Sequence, residues 1–265
     1  MIITVAVITM CVLGIVAGAG LGIAAKKFAV NKDPKIEEVL ENLPGVNCGA
    51  CGFPGCAAMA EAIVAGSSYP DKCPVASEEA VLKIARIMGV TVTVGPKLVA
   101  RLLCGGDKNI CAPAAVYRDM CDCNVMMAVS GGGKPCTYGC MGGGNCVREC
   151  AYGAMRMNGN GLPEIFEDKC ISCGLCAKAC PRELIKLIQK DKPVIVNCSS
   201  KDKGPEVRKI CSSGCIGCGL CVKSCPESAI TMTDFLASID AAKCTVCGIC
   251  IEKCPTKAII KASAV

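Results

Sequence analysis

Three stretches of this chain repeat one spacing of cysteines. Cys170, Cys173, Cys176 and Cys180 precede Pro181; Cys215, Cys218, Cys221 and Cys225 precede Pro226; Cys244, Cys247, Cys250 and Cys254 precede Pro255. Two-residue spacers let three thiolates reach three corners of one small inorganic cube, and a three-residue spacer sends the fourth thiolate to a neighbouring cube. A structural zinc uses two separated pairs of ligands and has no use for three consecutive two-residue gaps. The rest of the composition agrees with a chain organised around metal. Of 265 residues 27 are Cys, against four Phe, four Tyr and no Trp, so large side chains alone cannot fill the core. The absence of His removes imidazole catalysis, Rieske centres and His-ligated haem.

A cysteine fraction this high fits either a disulfide scaffold or a metal-wrapping chain. The N-terminus bears on that choice. Met1 to Ala25 carries no charged side chain, and Lys26 and Lys27 follow at once. At about 1.5 Å per residue the run is long enough to cross a hydrocarbon core of about 30 Å. A signal peptide would carry its positive charge before the apolar run. The reading is a single-pass anchor over 1–27 in the cytoplasmic membrane of a prokaryote, N-terminus outside and C-terminal domains cytoplasmic. Gly14, Gly18 and Gly22 form a small-residue face on it, suited to a neighbouring helix or simply common in membrane helices. Cytoplasmic thiols stay reduced, which favours metal over disulfides.

Beyond the anchor, Asp33 and Pro34 start a helix whose apolar face is Ile36, Val39, Leu40 and Leu43, ended by Pro44 and Gly45. Ser77 caps a second helix, Glu78 to Met88, with Gly89 at its end, and Val90 to Val94 reads as a short strand. Between the helices lie Cys48, Cys51, Cys56 and Cys73 in a glycine-rich loop, a set suited to one [4Fe-4S] cluster.

Repeat arithmetic exposes a fourth, disguised run. Cys211, Cys215, Cys221 and Cys225 each lie 75 residues after Cys136, Cys140, Cys146 and Cys150; Cys244, Cys247, Cys250 and Cys254 each lie 74 after Cys170, Cys173, Cys176 and Cys180. The mismatch is Gly143 where the second copy has Cys218, and Cys136 is the expected replacement. Each copy looks like a bacterial two-cluster ferredoxin. The fold expected is therefore α+β: an N-terminal transmembrane helix (1–27), a small helical [4Fe-4S] domain (28–95), a cysteine-containing connector (96–135), and two tandem ferredoxin modules (136–192 and 193–265). The likeness to two-cluster ferredoxins implies crossed fourth ligands. Five clusters are then expected. The first takes Cys48, Cys51, Cys56 and Cys73; the second Cys136, Cys140, Cys146 and Cys180; the third Cys170, Cys173, Cys176 and Cys150. The fourth takes Cys215, Cys218, Cys221 and Cys254; the fifth Cys244, Cys247, Cys250 and Cys225. Cys104, Cys111, Cys121, Cys123, Cys198 and Cys211 are left over, either as free buried thiols or, for the first four, as a sixth cluster.

From the anchor through Asn47, Cys48, Gly49, Ala50, Cys51, Gly52, Phe53, Pro54, Gly55 and Cys56 to Cys73 and Pro74, and on through Cys198 to Gly204, the chain resembles the B subunits of Rnf complexes. These are membrane ferredoxin:NAD oxidoreductases that pump Na+ or H+. The resemblance implies an electron relay that accepts electrons from soluble ferredoxin and passes them to other membrane subunits of a hetero-oligomer. It also implies a chain without its own substrate-converting site. The residues agree: no nucleophile–base pair is visible, and Gly131, Gly132, Gly133 and Lys134 lack phosphate-loop spacing. A polyferredoxin arm of another membrane enzyme, such as a hydrogenase, is the alternative reading.

The formal charge of +6 counts every thiol as neutral. Each oxidised cluster with four thiolates carries about −2, so five bring the holoprotein to about −4, which disfavours nucleic acid as a partner. Lys186, Lys190, Lys192, Lys201, Lys203, Lys209, Lys253 and Lys257 form either a steering patch for an acidic ferredoxin or an ordinary solvated surface. The electron route expected runs from the C-terminal modules to the membrane-proximal set at Cys48.

Overall fold

The computed structural model describes residues 2–27, 33–115, 117 and 121–262. Helix α1 spans Ile2–Lys27. The side chains before Met10, and those of Ala25 and Lys26, lie outside the described residues; from Met10 to Ile23 the apolar side chains are exposed. Among the described residues no helix is long and apolar enough to cross a membrane. The expected span therefore lies partly outside the described residues.

The next unit is helical: α2 (Pro34–Asn42), α3 (Cys56–Val64) and α4 (Glu78–Met88). Asp33 caps α2, its carboxylate accepting from the Lys35 N–H at 2.9 Å, and Ser77 caps α4 by accepting from the Ala80 N–H at 3.2 Å. Gly89 ends α4 at φ +66°, a left-handed conformation that glycine adopts freely. The apolar faces close on one another through Val39, Leu43, Met59, Ala60, Ile63 and Ile84, which drives the docking by removing hydrocarbon from water.

The strand expected at Val90 to Val94 does not form. It is replaced by β1 (Leu98–Leu102), whose partner is β4 (Ile185–Gln189), antiparallel with Leu98 opposite Gln189 and Leu102 opposite Ile185. Residues 90–94 have no strand beside them, and strand propensity without a ladder partner holds nothing. The pairing also moves a piece of the expected connector into the first ferredoxin-like module. The second module repeats the plan: β5 (Val194–Val196) pairs antiparallel with β8 (Ile259–Lys261).

Inside each outer pair sit a hairpin and three short helices. The first module has α6 (Asn145–Arg148), β2 (Met155–Met157), β3 (Pro163–Ile165) and α7 (Leu175–Lys178), preceded by α5 (Cys123–Ser130) in the connector. The second has α8 (Gly204–Ile210), α9 (Leu220–Ser224), β6 (Ile230–Thr233), β7 (Leu236–Ile239) and α10 (Ile249–Lys253). The strands are short and the cores contain cysteines as well as aliphatics: Cys146 and Cys176 beside Met155 and Ile185, Cys215, Cys221 and Cys250 beside Val194, Ile230 and Ile259.

One buried ion pair fixes β1. Arg101 donates to Glu167 at 2.5 Å, with the two side chains only 4% and 7% exposed. Ser172 donates its hydroxyl to the Leu98 carbonyl, and the Ala100 N–H reaches Cys170 Sγ at 3.5 Å. Strand β1 is thus laced to the loop that carries Cys170 and Cys173.

Candidate metal centres

In the helical unit, the chain from Asn47 to Cys56 must double back so that widely spaced thiols face one another. Asn47 performs the closure: its side-chain oxygen accepts the Cys56 N–H at 2.8 Å, fastening the start of the loop to the first residue of α3. Gly49 and Gly52 turn the loop at φ +68° and +91°. Cys73 arrives after the turn Pro70–Lys72, and burial, then the charges of Cys51 and Cys56, push its thiol up. Cys51, Cys56 and Cys73 pack against the helical core together with Phe53.

The ferredoxin-like modules use one local geometry repeatedly. The residue just before the second position of each run is left-handed: Gly142, Ser172, Gly217 and Val246. So is the third residue after the last thiol: Gly153, Glu183, Ser228 and Lys257. For a β-branched residue such as Val246 this conformation is costly, on the order of 1–3 kcal/mol, and it recurs where the loop must turn its thiols inward. One result is visible in three copies. The N–H groups of Leu184, Ala229 and Ala258 point at Cys180, Cys225 and Cys254 Sγ, at 3.4, 3.4 and 3.2 Å. Amide donors aimed at a thiolate stabilise its charge and tune whatever it ligates.

The thiols ring hollows. Cys150, Cys170, Cys173 and Cys176 surround one, and Cys215, Cys218, Cys221 and Cys254 another. Cys225, Cys244 and Cys247 act together on Cys250, whose thiol burial pushes up first and their charges raise further. These are the groupings expected from the spacing, crossed fourth positions included.

The remaining grouping differs from expectation. A third hollow is lined by Cys123, Cys140, Cys146 and Cys180, and Cys136 is not on its wall. Burial pushes the Cys146 thiol up to about 12, with added repulsion from Cys140, Cys180 and Cys123. Cys123 opens α5, where Asp122 caps the helix and Asn145 accepts the Cys123 N–H at 2.7 Å. Arg148 closes this knot by donating to Asp122 and Asn145. The signal in the sequence was Gly143: the position that lost its thiol is also the space another thiol enters. Cys136 turns away because Arg182 holds its loop, donating to the carbonyls of Cys136 and Gly139.

Cys136 lines instead a hollow shared with Cys104, Cys111, Cys198 and Cys211. The expected companions Cys121 and Cys123 are not there; Cys121 is exposed. Among the described residues no three His, Cys, Asp or Glu side chains converge closely enough to share a single metal ion. Sulfurs set around an apolar hollow without converging on one point fit a multi-iron core better than one tetrahedral zinc.

The hollows form a series. Cys48 lies near enough to Cys173 to raise its thiol, after burial itself; Cys176 acts likewise on Cys146; and the Cys140 N–H donates to Cys104 Sγ at 3.3 Å. Of the eight lysines that could form a patch, Lys186, Lys192 and Lys201 line one open groove, with Arg182 and Glu183. Lys192 Nζ donates to the Cys244 carbonyl at 2.6 Å, at the edge of that groove.

Family models match three segments: an Fe-S cluster model over residues 43–75, a 4Fe-4S binding domain over 163–186 and a 4Fe-4S dicluster domain over 214–258. Among curated proteins, the B subunit of the Na(+)-translocating ferredoxin:NAD(+) oxidoreductase complex of Acetobacterium woodii is 44% identical over 88% of this chain and 70% of its own length. The B subunit of the ion-translocating oxidoreductase complex of Methanosarcina acetivorans is 41% identical, covering 87% and 88%. The B subunit of the proton-translocating ferredoxin:NAD(+) oxidoreductase complex of Clostridium ljungdahlii is 40% identical, covering 88% and 82%. With this identity carried along nearly the whole chain, the protein belongs to the family of B subunits of ion-translocating ferredoxin:NAD+ oxidoreductase complexes.

Proposed function

We infer that this chain is the iron–sulfur electron-transfer subunit of an Rnf-type complex, a translocase in which it relays electrons and converts no substrate itself. The observation that carries the reading is a set of hollows each lined by four cysteines, in a chain of the B-subunit family. Bound [4Fe-4S] clusters would supply one-electron chemistry at low potential. The residues to hold five of them are Cys48, Cys51, Cys56 and Cys73; Cys123, Cys140, Cys146 and Cys180; Cys150, Cys170, Cys173 and Cys176; Cys215, Cys218, Cys221 and Cys254; and Cys225, Cys244, Cys247 and Cys250.

The protein's own part is positional. Left-handed turns aim the thiols, amides after the Cys-Pro pairs stabilise them, and apolar walls exclude water. Reduced ferredoxin is the donor in this reading. The groove lined by Lys186, Lys192, Lys201 and Arg182 supports docking of an acidic partner beside the Cys244 loop. Electrons then run from the second module to the Cys48 set and on to membrane subunits. Helix α1 serves as the single-pass anchor: its sequence is uncharged as far as Lys26, and its described apolar side chains are exposed. One relative is named for Na(+) translocation and another of similar identity for proton translocation.

The test is anaerobic titration of the full chain in detergent with reduced ferredoxin. Bleaching of visible iron–sulfur absorption, with a rate that falls as salt rises, is the expected result. A colourless, zinc-containing protein that takes no electrons would overturn it.

A further inference from the structure

Four cysteines outside the five ligand sets meet between the two modules. Cys104 follows β1, Cys111 lies in the connector, Cys136 opens the first module's run, and Cys211 ends α8. They line a hollow whose exposed wall is almost wholly apolar. A Cβ on Gly106 would stand 3.2 Å from Cys111 Cβ, 3.5 Å from Cys211 Sγ and 3.8 Å from Cys104 Sγ, so three of the thiol-bearing residues crowd one backbone position. Burial and then the charges of Cys104, Cys111 and Cys211 raise the Cys136 thiol, which places all four within mutual electrostatic reach. Lys134 leans over the site, donating to the Gly106 carbonyl at 2.5 Å; burial and then the charge of Cys211 push the Cys111 thiol up, and the Lys134 charge only partly offsets them.

We propose that Cys104, Cys111, Cys136 and Cys211 hold a sixth [4Fe-4S] cluster that bridges the two ferredoxin-like modules. The proposal rests on reading the other thiol sets as cluster sites, and it adds the member that joins them. Cys104 Sγ accepts the Cys140 N–H on one side. On the other side Cys198, on the wall of the same hollow, is raised by burial and by the charge of Cys215 while the Cys215 and Ser200 amides donate to it. The hollow is therefore the step between the Cys140 set and the Cys215 set. The repeat explains its origin: Cys211 and Cys136 are equivalent positions, each made surplus where its own module's cluster is completed by Cys218 or by Cys123. Cys198 is the fifth sulfur on the wall; neither the contacts at Gly106 nor the charges that act on Cys136 include it, which leaves it outside the ligand set.

Iron, acid-labile sulfide and zinc are counted per chain on the full-length protein, purified anaerobically in detergent, with EPR of the reduced form. About 24 Fe is expected for wild type, falling to about 20 in Cys111→Ala and in Cys211→Ala, with the other signals kept; Cys121→Ala and Cys198→Ala should stay near 24. Three outcomes overturn the proposal: about 20 Fe in wild type and both variants alike, one zinc per chain that Cys111→Ala removes, or loss of about 4 Fe in Cys198→Ala. A wild-type chain with no iron at all would overturn the relay reading as well, so the two failures are distinguishable.

Discussion

Cys123 Sγ lies 2.9 Å from the point that a Cβ on Gly143 would occupy, and the Cys123 N–H nitrogen lies 2.8 Å from it. The thiol missing from the first module's run is thus replaced in space by one from 20 residues earlier in the chain. Cys123→Ala should cost the Cys140 set its cluster or convert it to a three-iron centre, read as loss of about 1–4 Fe per chain and a new EPR signal of the oxidised protein. Gly143→Ala should do similar damage, because the methyl must displace α5. Unchanged iron in both variants would return the ligand role to another residue.

Arg101 and Glu167 form a buried pair in which Arg101 Nε and Nη2 have no other partner. Removing one charge leaves the other stranded in a medium that solvates it poorly. Glu167→Gln should therefore destabilise the first module by about 3–5 kcal/mol. A double Arg101→Met, Glu167→Leu variant should recover much of this, measured as the denaturant midpoint of the cluster-loaded chain.

Asn47 sits at φ +51° and accepts the Cys56 N–H. Asn47→Ala loses that bond and places a residue poorly suited to left-handed backbone there, costing about 1–3 kcal/mol in the loop around Cys48. The iron of that one site should become labile to chelators while the ferredoxin-like modules keep theirs. Asn47→Asp, which keeps the acceptor, should behave close to wild type.

Burial pushes Cys140 and Cys176 up to about 11 and Cys146 up to about 12. In an iron-free chain these thiols bind their protons more tightly folded than unfolded. Their contribution to stability is then complete below the ordinary thiol value of about 8.5 and is lost as pH rises through about 11 to 12. Circular dichroism of the chelated chain in denaturant should show a midpoint that is flat from about pH 6 to 8 and falls steadily above about 9. A midpoint that stays flat through about pH 11 would show that the thiols are solvated in the folded chain.

Ser77 caps α4, which presses Ile84 into the helical core. Ser77→Ala should cost about 1 kcal/mol and leave the iron content unchanged, which separates helix stability from cluster retention.

What the sequence determined by itself was everything encoded at short range. Spacers of two and three residues set the three regular runs. Asp33, Ser77 and Gly89 punctuated the helices, because caps act over one turn of chain. The offset of about 75 residues revealed the duplicated module. Three features escaped it. The strand at Leu98–Leu102 needed a partner near position 187 before it could be a strand, whereas Val90 to Val94 had the better composition and no neighbour. The choice of Cys123 over Cys136 depended on the space left by the missing side chain at Gly143 and on Arg182 pulling the Cys136 loop aside. The meeting of Cys104, Cys111, Cys136 and Cys211 depended on how two modules pack. Spacing decides which thiols reach one centre when the chain between them is too short to choose; where it is long, only the tertiary packing brings the sulfurs together.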